Sequence, residues 1–126
     1  MRAVDTNVLV RLITRDDGRQ VASADRFVEK GAWISHLALA ETTWVLASVY
    51  ERSAAEVATA VELLLDHREL TLQEPEVVAA ALAMFRERPA VGFSDCLLLE
   101  IARKAGHLPL GTFDRNLGKR DGSQKL

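Results

Sequence analysis

The chain has 126 residues, of which 48% are hydrophobic and 27% are charged, and its formal net charge is −2. This length fits one domain, and the composition supports a folded core beneath a charged surface. No apolar run approaches the ~18 residues of a membrane span, and the slightly negative charge gives no electrostatic sign of a nucleic-acid binder. We therefore expect a single domain over residues 1–126 with no membrane-spanning segment.

Short strand-like segments alternate with longer segments of helical periodicity along the chain. Acidic residues, serines or a proline stand at several helix starts, and glycines follow two of the helices, as is usual at helix ends. In chain order, we predict a strand at 2–5, helices at 7–14 and 16–28, a strand at 32–35, helices at 37–50 and 53–65, a strand at 70–72, helices at 75–85 and 94–105, and a strand at 108–112.

Two helix starts and the chain end give more specific predictions. Ser53 and Glu56 have the spacing of a capping box, and Ser94 is predicted to cap the helix that follows it. The segment after Gly118 is polar and poorly patterned. Residues 118–126 are therefore predicted to be either a loosely ordered tail or a last strand.

The alternation of strands and helices predicts the fold class. Strands that are separated by helices imply right-handed crossovers and a parallel sheet with helices on both faces. We therefore expect an α/β fold, an α/β/α sandwich around a short, mainly parallel sheet of four to five strands. Pro109 places the last of the predicted strands at an edge or at a strand end.

Cysteine and histidine usage limits the possible chemistry. Cys96 is the only cysteine, which excludes an intramolecular disulfide and a cysteine cluster for zinc. The three histidines stand far apart in the sequence, so imidazole metal sites are poorly supported. Asp5 falls where a signal peptide would need its apolar region, and we therefore expect a cytoplasmic protein.

Two aspartates follow predicted strands. Asp5 ends the first strand, and Asp114 comes directly after the strand at 108–112. Ligands of open parallel sheets bind beyond the carboxyl ends of the strands, so both carboxylates should emerge at the same edge. Each of them could also be a plain helix N-cap.

Two further acids lie within predicted helices. Glu41 shares a helical face with Leu37 and Trp44, so it interrupts an apolar stripe, and Asp95 heads the inward face of the helix at 94–105. A buried carboxylate is costly unless it is compensated. The alternatives are that Glu41 lies at the margin of its stripe and reaches water, and that Asp95 only favours the helix dipole.

Four converging carboxylates would require cations, because like charges repel. Oxygen ligands without histidine or cysteine favour Mg²⁺ or Mn²⁺ over zinc. Two such ions can activate a water molecule and stabilise the leaving oxygen of a phosphodiester, which makes hydrolysis of a phosphodiester the predicted chemistry.

At this point the motifs resemble those of PIN domains, specifically the VapC-like toxin ribonucleases of type II toxin–antitoxin systems. The matching segments keep the family's order and cover the chain from about Asp5 to Leu117. They are Val4-Asp5-Thr6-Asn7, Ala40-Glu41, Phe93-Ser94-Asp95-Cys96-Leu97-Leu98 and Gly111-Thr112-Phe113-Asp114-Arg115-Asn116-Leu117.

The resemblance implies a metal site, an activity and partners. It implies an endoribonuclease that leaves 5′-phosphate and 3′-hydroxyl ends, acts as a toxin, forms a homodimer and is blocked by a VapB-like antitoxin. The implied metal ligands and catalytic residues are Asp5, Glu41, Asp95 and Asp114. The implied supporting residues are Thr6, Asn7 and Thr112: Asn7 would orient Asp5, and Thr112 would hydrogen-bond a carboxylate or a metal-bound water.

Several interpretations stay open at this stage. A non-cleaving module of the same fold that binds RNA or protein is the alternative function. A receiver domain would need an aspartate where residues 73–75 stand, and a dehalogenase-like phosphatase would need one at Asn7, so both are weakly supported. The basic residues of the last third form either a rim for RNA or an ordinary solvated face: Arg103, Lys104, Arg115, Lys119 and Arg120.

The remaining candidates are expected to be structural. Cys96 in an apolar helix is expected to pack in the core, as are Trp33 and Trp44, although both indoles could stack on bases. His36 follows a strand and could approach substrate or a dimer partner. Surplus apolar side chains, among them Val49 and the run at 63–65, could form a surface for a dimer or for an antitoxin helix.

Overall fold

The computed structural model describes residues 1–126 and contains seven α-helices, one 3₁₀ turn and five short strands. The helices and strands alternate, as the hydrophobic periodicity predicts. The helices are α1 (Thr6–Thr14), α2 (Gly18–Val28), α3 (His36–Ser48), α4 (Ala54–Asp66), α5 (Pro75–Glu87), α6 (Phe93–Ala105) and α7 (Arg115–Gly118), with the 3₁₀ turn at Pro89–Val91. The strands are β1 (Arg2–Ala3), β2 (Ala32–Ile34), β3 (Leu70–Leu72), β4 (Leu110–Thr112) and β5 (Ser123–Lys125).

All strand pairs are parallel, which confirms the α/β class. Strands β1, β2 and β3 pair in that order, and β4 pairs with β5. The five strands therefore form a set of three and a set of two, flanked by helices. The segment after Gly118 contains strand β5, so the last-strand interpretation of the tail is correct. None of the helices combines the length and apolar character that crossing a membrane requires.

The chain divides into two compact units, Met1–Pro75 and Glu76–Leu126. In the first unit, strands β2 and β3 alternate between buried and exposed side chains: Ala32 and Ile34 are buried, whereas Trp33 between them is 36% exposed. The expectation that Trp33 packs in the core is therefore wrong. Successive strand side chains point to opposite faces of a sheet, and Trp33 has the parity of the open face.

Helix ends follow local side-chain chemistry in most cases. The Glu56 backbone N–H donates to Ser53 Oγ at 3.2 Å, and the Ser53 N–H donates to Glu56 Oε1 at 2.9 Å, so the predicted capping box of α4 is confirmed. The predicted cap of α6 is wrong. Gly92 occupies that position with φ of 87°, and Ser94 lies inside the first turn.

The second unit has its own core around α6. The Phe85 and Phe93 rings pack edge to face with their centroids 5.9 Å apart. Gly106 ends α6 in the left-handed region with φ of 81°. Beyond it, the Arg103 guanidinium donates to Glu100 at 2.9 Å and to the Asp121 carbonyl at 2.7 Å, which fastens α6 to the turn before β5.

Candidate functional site

Asp5 occupies the junction between β1 and α1. Its backbone is extended, and its Oδ1 accepts a hydrogen bond from the Val8 N–H at 3.1 Å, so it is the N-cap of α1. The side chain is exposed, and the second carboxylate oxygen has no partner in the chain. The cap uses one oxygen and leaves the other free to bind a ligand.

Glu41 lies on an open face of α3 rather than on a buried one. Leu37 and Trp44 flank it on that face and are 69% and 65% exposed, so the expectation that Trp44 packs in the core is wrong. The buried residues of α3, including Leu39 and Leu46, point the other way. The Glu41 carboxylate therefore carries no burial penalty and is directly accessible.

Thr6 links the first two acids. Its hydroxyl donates to Glu41 Oε2 at 3.0 Å, and Thr6 directly follows Asp5. Residues 5 and 41 are thus brought to the same region of the first unit by a contact between the first turn of α1 and the middle of α3. The sequence implied a supporting role for Thr6, and the structure identifies Glu41 as its partner.

A polar network holds α1 against the end of α3. The Arg11 guanidinium donates to the Tyr50 hydroxyl at 3.0 Å and to Asp16 at 3.1 Å, and the Tyr50 hydroxyl donates to Asp16 at 3.1 Å. The hydrogen bond to Tyr50 raises the Arg11 pKa, and the negative charge of Asp16 raises it further, so the guanidinium stays charged. This network fixes the relative position of the two helices that present Asp5 and Glu41.

Asp5 and Asn7 line a cavity of about 520 Å³ between α1 and α2. Asn7 is exposed and makes no hydrogen bond to Asp5 in this structure. Arg19 and Gln20, from the first turn of α2, line the same cavity and were not singled out from the sequence. Their only sequence signal is their place after the Asp16–Asp17 helix start, and the proximity to Asp5 comes from packing.

Asp95 lies in the first turn of α6 in the second unit and is partly buried. Burial raises the pKa of Asp95, and the negative charge of Asp114 raises it further. The two carboxylates are therefore close enough to repel each other, although they are 19 residues apart in the sequence.

Asp114 is exposed and caps the short helix α7. Its Oδ1 accepts a hydrogen bond from the Leu117 N–H at 2.8 Å. Its own backbone N–H donates to the Thr112 hydroxyl at 3.0 Å. Thr112 thus holds the backbone of residue 114 in place and donates no hydrogen bond to a carboxylate.

None of the four acids forms an ion pair with a lysine, arginine or histidine. Each unit contributes two of them: Asp5 and Glu41 in the first, Asp95 and Asp114 in the second. In neither unit do three or more His, Cys, Asp or Glu side chains converge in an arrangement that would hold a metal ion.

Cys96 packs in the core as expected and is fully buried. Burial, together with the nearby charges of Asp95 and Glu100, raises the pKa of its thiol to about 12. The thiol is therefore protonated at neutral pH and unreactive, which agrees with a packing role rather than a redox role.

The basic residues of the last third divide into two groups. Arg103 is paired with Glu100, and Lys104 lies 3.3 Å from Glu76. In contrast, Arg115, Lys119 and Arg120 form no ion pair. The fold therefore pairs two of these five basic residues with carboxylates and leaves three without an ion pair.

The sequence profile of the PIN domain family matches residues 2–122. This match covers nearly the whole chain and includes all four acids. No curated protein and no solved structure gives a significant match. PIN domains are typically nucleases that use divalent metals and bind nucleic acid, so the match identifies a nuclease fold of the hydrolase class.

Proposed function

The chain belongs to the PIN domain family, and from that premise we propose that it is a metal-dependent endoribonuclease, the toxin of a toxin–antitoxin pair similar to the VapC-like toxins. In this proposal, residues 1–126 act as one cytoplasmic domain. The domain hydrolyses RNA phosphodiester bonds and leaves 5′-phosphate and 3′-hydroxyl ends.

The observation that carries the proposal is the absence of basic partners at the four acids of the family-like motifs. Asp95 and Asp114 repel each other, and neither forms an ion pair with a basic residue. In the first unit, Glu41 contacts only a hydroxyl, and Asp5 only a backbone N–H. Such carboxylates supply the negative charge and the oxygen ligands that a divalent cation needs.

The donor set fits Mg²⁺ or Mn²⁺. The proposal assigns Asp5, Glu41, Asp95 and Asp114 as metal ligands, which supply oxygen donors only. When bound, the metal supplies Lewis-acid activation of water and neutralises charge on the phosphodiester.

The surrounding residues of the chain keep these ligands in position. The Thr6 hydroxyl holds one oxygen of Glu41 and leaves the other free. The Leu117 N–H holds Asp114 Oδ1 in the same way. Carboxylates that are fixed by such hydrogen bonds lose less rotational freedom when they bind a ligand, which raises metal affinity. We assign a similar role toward Asp5 to Asn7, which lines the same cavity.

An apolar groove in the first unit supports the toxin assignment. This groove of about 790 Å³ runs between α1, α2 and α4, and apolar residues including Leu12, Ile13 and Leu64 line it. Leu63 at its side is 62% exposed, and an ion pair between Arg15 and Asp25, with 2.8 Å between the two side chains, also lines the groove. An amphipathic helix of a VapB-like antitoxin would bury these apolar side chains.

Exposed apolar residues also support the proposed homodimer. Val49, just beyond the end of α3, is 64% exposed, and Trp44 lies one and a half turns before it. Exposed large side chains of this kind are depleted on surfaces that stay in water and enriched in interfaces. Sedimentation equilibrium of the purified protein, compared with Val49→Asp, tests this point: the variant should shift the population toward monomers.

The central test is cleavage of a mixed RNA pool by antitoxin-free protein with Mg²⁺, with Mn²⁺ and with EDTA. The wild type should cleave only with metal, and Asp95→Asn should not cleave. Asp121→Asn is the matched control, because Asp121 belongs to the same unit, is exposed and forms no ion pair. Product ends are mapped by their sensitivity to a 5′-phosphate-dependent exonuclease.

Two outcomes would contradict the proposal. Cleavage by Asp95→Asn at the wild-type rate would exclude Asp95 as a metal ligand. RNA binding by the folded wild type without any cleavage would favour the non-cleaving module of the same fold. Growth arrest on expression of the wild type, absent with Asp95→Asn, tests the toxin role separately.

A further inference from the structure

A second cavity, of about 380 Å³, lies in the second unit next to α7, and three cationic side chains line it. These are Arg88 from the segment after α5, and Lys119 and Arg120 from the turn after α7. Glu87 is the single acid in the lining. The volume of the cavity falls within the range of small-ligand sites, roughly 300–1,000 Å³.

The fold leaves these three cations without ion pairs, although it neutralises others in the same unit. Arg103 and Lys104 have carboxylate partners at 2.9 and 3.3 Å. Arg88, Lys119 and Arg120 have none. Like charges that share one cavity raise each other's energy, and an anion in the cavity would remove that repulsion.

Arg120 also has a guanidinium donor that the fold leaves unpaired. Its Nε is buried and has no hydrogen-bond partner in the chain. A buried donor without a partner is costly, and native proteins rarely leave one unpaired. Guanidinium groups bind phosphate oxygens through two parallel N–H donors, one of which can be Nε.

The cavity is joined to Asp114 by one short helix. Asp114 caps α7, and Asn116 of α7 lines the cavity with Lys119 and Arg120. The Arg120 N–H donates to the Leu117 carbonyl at 3.0 Å, which keeps the basic turn on the end of α7. A helical turn rises about 5.4 Å, so a group in this cavity would lie roughly one to two turns from the carboxylate of residue 114.

We infer that this basic cavity binds a backbone phosphate of the RNA substrate, next to the phosphodiester that is cleaved. The inference rests on the proposed function, since it names a contact of the same substrate. Arg88 and Lys119 supply charge, Arg120 supplies the guanidinium fork, and the Asn116 amide can donate a further hydrogen bond. The contact reads no base, so it strengthens binding of every sequence equally.

The test compares Arg88→Gln/Lys119→Gln with a matched control, Arg26→Gln/Lys30→Gln. Both doubles remove one arginine and one lysine from exposed positions, so the core is untouched. The control residues belong to the first unit and do not line the cavity. The probe is a fluorescein-labelled single-stranded RNA of ten nucleotides, measured by anisotropy in EDTA, so that binding is separated from cleavage.

We expect the cavity variant to bind the probe about five- to tenfold more weakly than the wild type at low salt. The slope of log Kd against log salt should decrease by about 0.7 for each lost phosphate contact. The affinity of the control variant for the probe should stay within about twofold of the wild-type affinity. Inorganic phosphate should compete with the RNA for the wild type more strongly than chloride at equal ionic strength.

Three outcomes overturn the inference. If both double variants bind RNA equally well, and inorganic phosphate raises the Tm of the wild type but not that of the cavity variant, the cavity is a site for free phosphate. Equal RNA affinity without any phosphate effect shows that the cavity binds no anion. Unchanged binding alongside metal-dependent cleavage leaves the proposed function standing while this inference fails. If the cavity variant binds RNA more weakly but the wild type never cleaves RNA, the inference is supported and the proposed function fails.

Discussion

Replacement of Asp95 by asparagine should raise the stability of the metal-free protein. In the folded chain, burial and the charge of Asp114 raise the Asp95 pKa, so the folded state disfavours the ionised form. Stability is therefore lost as the pH rises from the ordinary pKa of an aspartate, about 3.9, through the raised value. The penalty is fully present at neutral pH and absent below the ordinary pKa.

The size of this effect is small because the carboxylate remains partly exposed. Solvent screening limits such a penalty to at most about 1 kcal/mol. For a chain of this length, that corresponds to a Tm increase of roughly 2–5 °C for Asp95→Asn at pH 7 in EDTA. Near pH 3.5 the difference between wild type and variant should vanish.

Metal should reverse the order of stability of the wild type and Asp95→Asn. At a Mg²⁺ concentration tenfold above its Kd, binding adds about 1.4 kcal/mol to the wild type. Asp95→Asn lacks one proposed ligand and should gain little, so the wild type becomes the more stable protein. Thermal unfolding followed by circular dichroism, at both pH values and with and without Mg²⁺, measures all of these effects, and Asp121→Asn is the control.

Two results would refute this reasoning. A lower Tm for Asp95→Asn in EDTA at pH 7 would mean that the carboxylate stabilises the fold through an interaction that outweighs burial and repulsion. An equal gain from Mg²⁺ in wild type and variant would show that Asp95 does not bind the metal. Either result is independent of which RNA the protein cleaves.

Three further predictions concern single side chains. Thr6→Val removes the hydrogen bond to Glu41, so the Mg²⁺ concentration at half-maximal cleavage should rise about tenfold with an unchanged fold, and a metal titration of activity checks this. Ser53→Ala breaks the capping box of α4 and should lower stability by about 1 kcal/mol, seen in urea unfolding, while cleavage stays at the wild-type rate. Cys96 should resist a thiol reagent at pH 8 until guanidinium unfolds the chain, because burial protects the thiol and raises its pKa to about 12. Labelling of the folded protein as fast as that of a free cysteine would contradict this.

Local signals in the sequence were sufficient for the six longer helices and the first four strands. The periodicity of apolar residues predicted every helix of more than one turn, because a helix buries one face at a fixed spacing. The capping box at Ser53 was also predictable from the sequence, because all of its atoms belong to one turn. Ser94 was misread because a serine near a helix start has the chemistry of a cap, and only the backbone shows that Gly92 occupies that position.

The exposure of individual side chains was less predictable. Trp33 and Trp44 were expected to be buried, because aromatic residues contribute large areas to protein cores. Both instead lie on open faces of their elements. Periodicity shows which residues share a face, but it does not show whether another element covers that face.

The sequence by itself determined the α/β class and the order of the longer elements, and it singled out four acids as candidate ligands, since ordered motifs and spacing are properties of the chain alone. Only the tertiary structure decided how these acids and the basic residues interact. It places the Thr6 hydroxyl on Glu41, brings Asp95 and Asp114 close enough to repel each other, and gathers unpaired cations beside α7. These contacts join residues that are distant in sequence. They depend on how helices pack, and no local pattern encodes that packing.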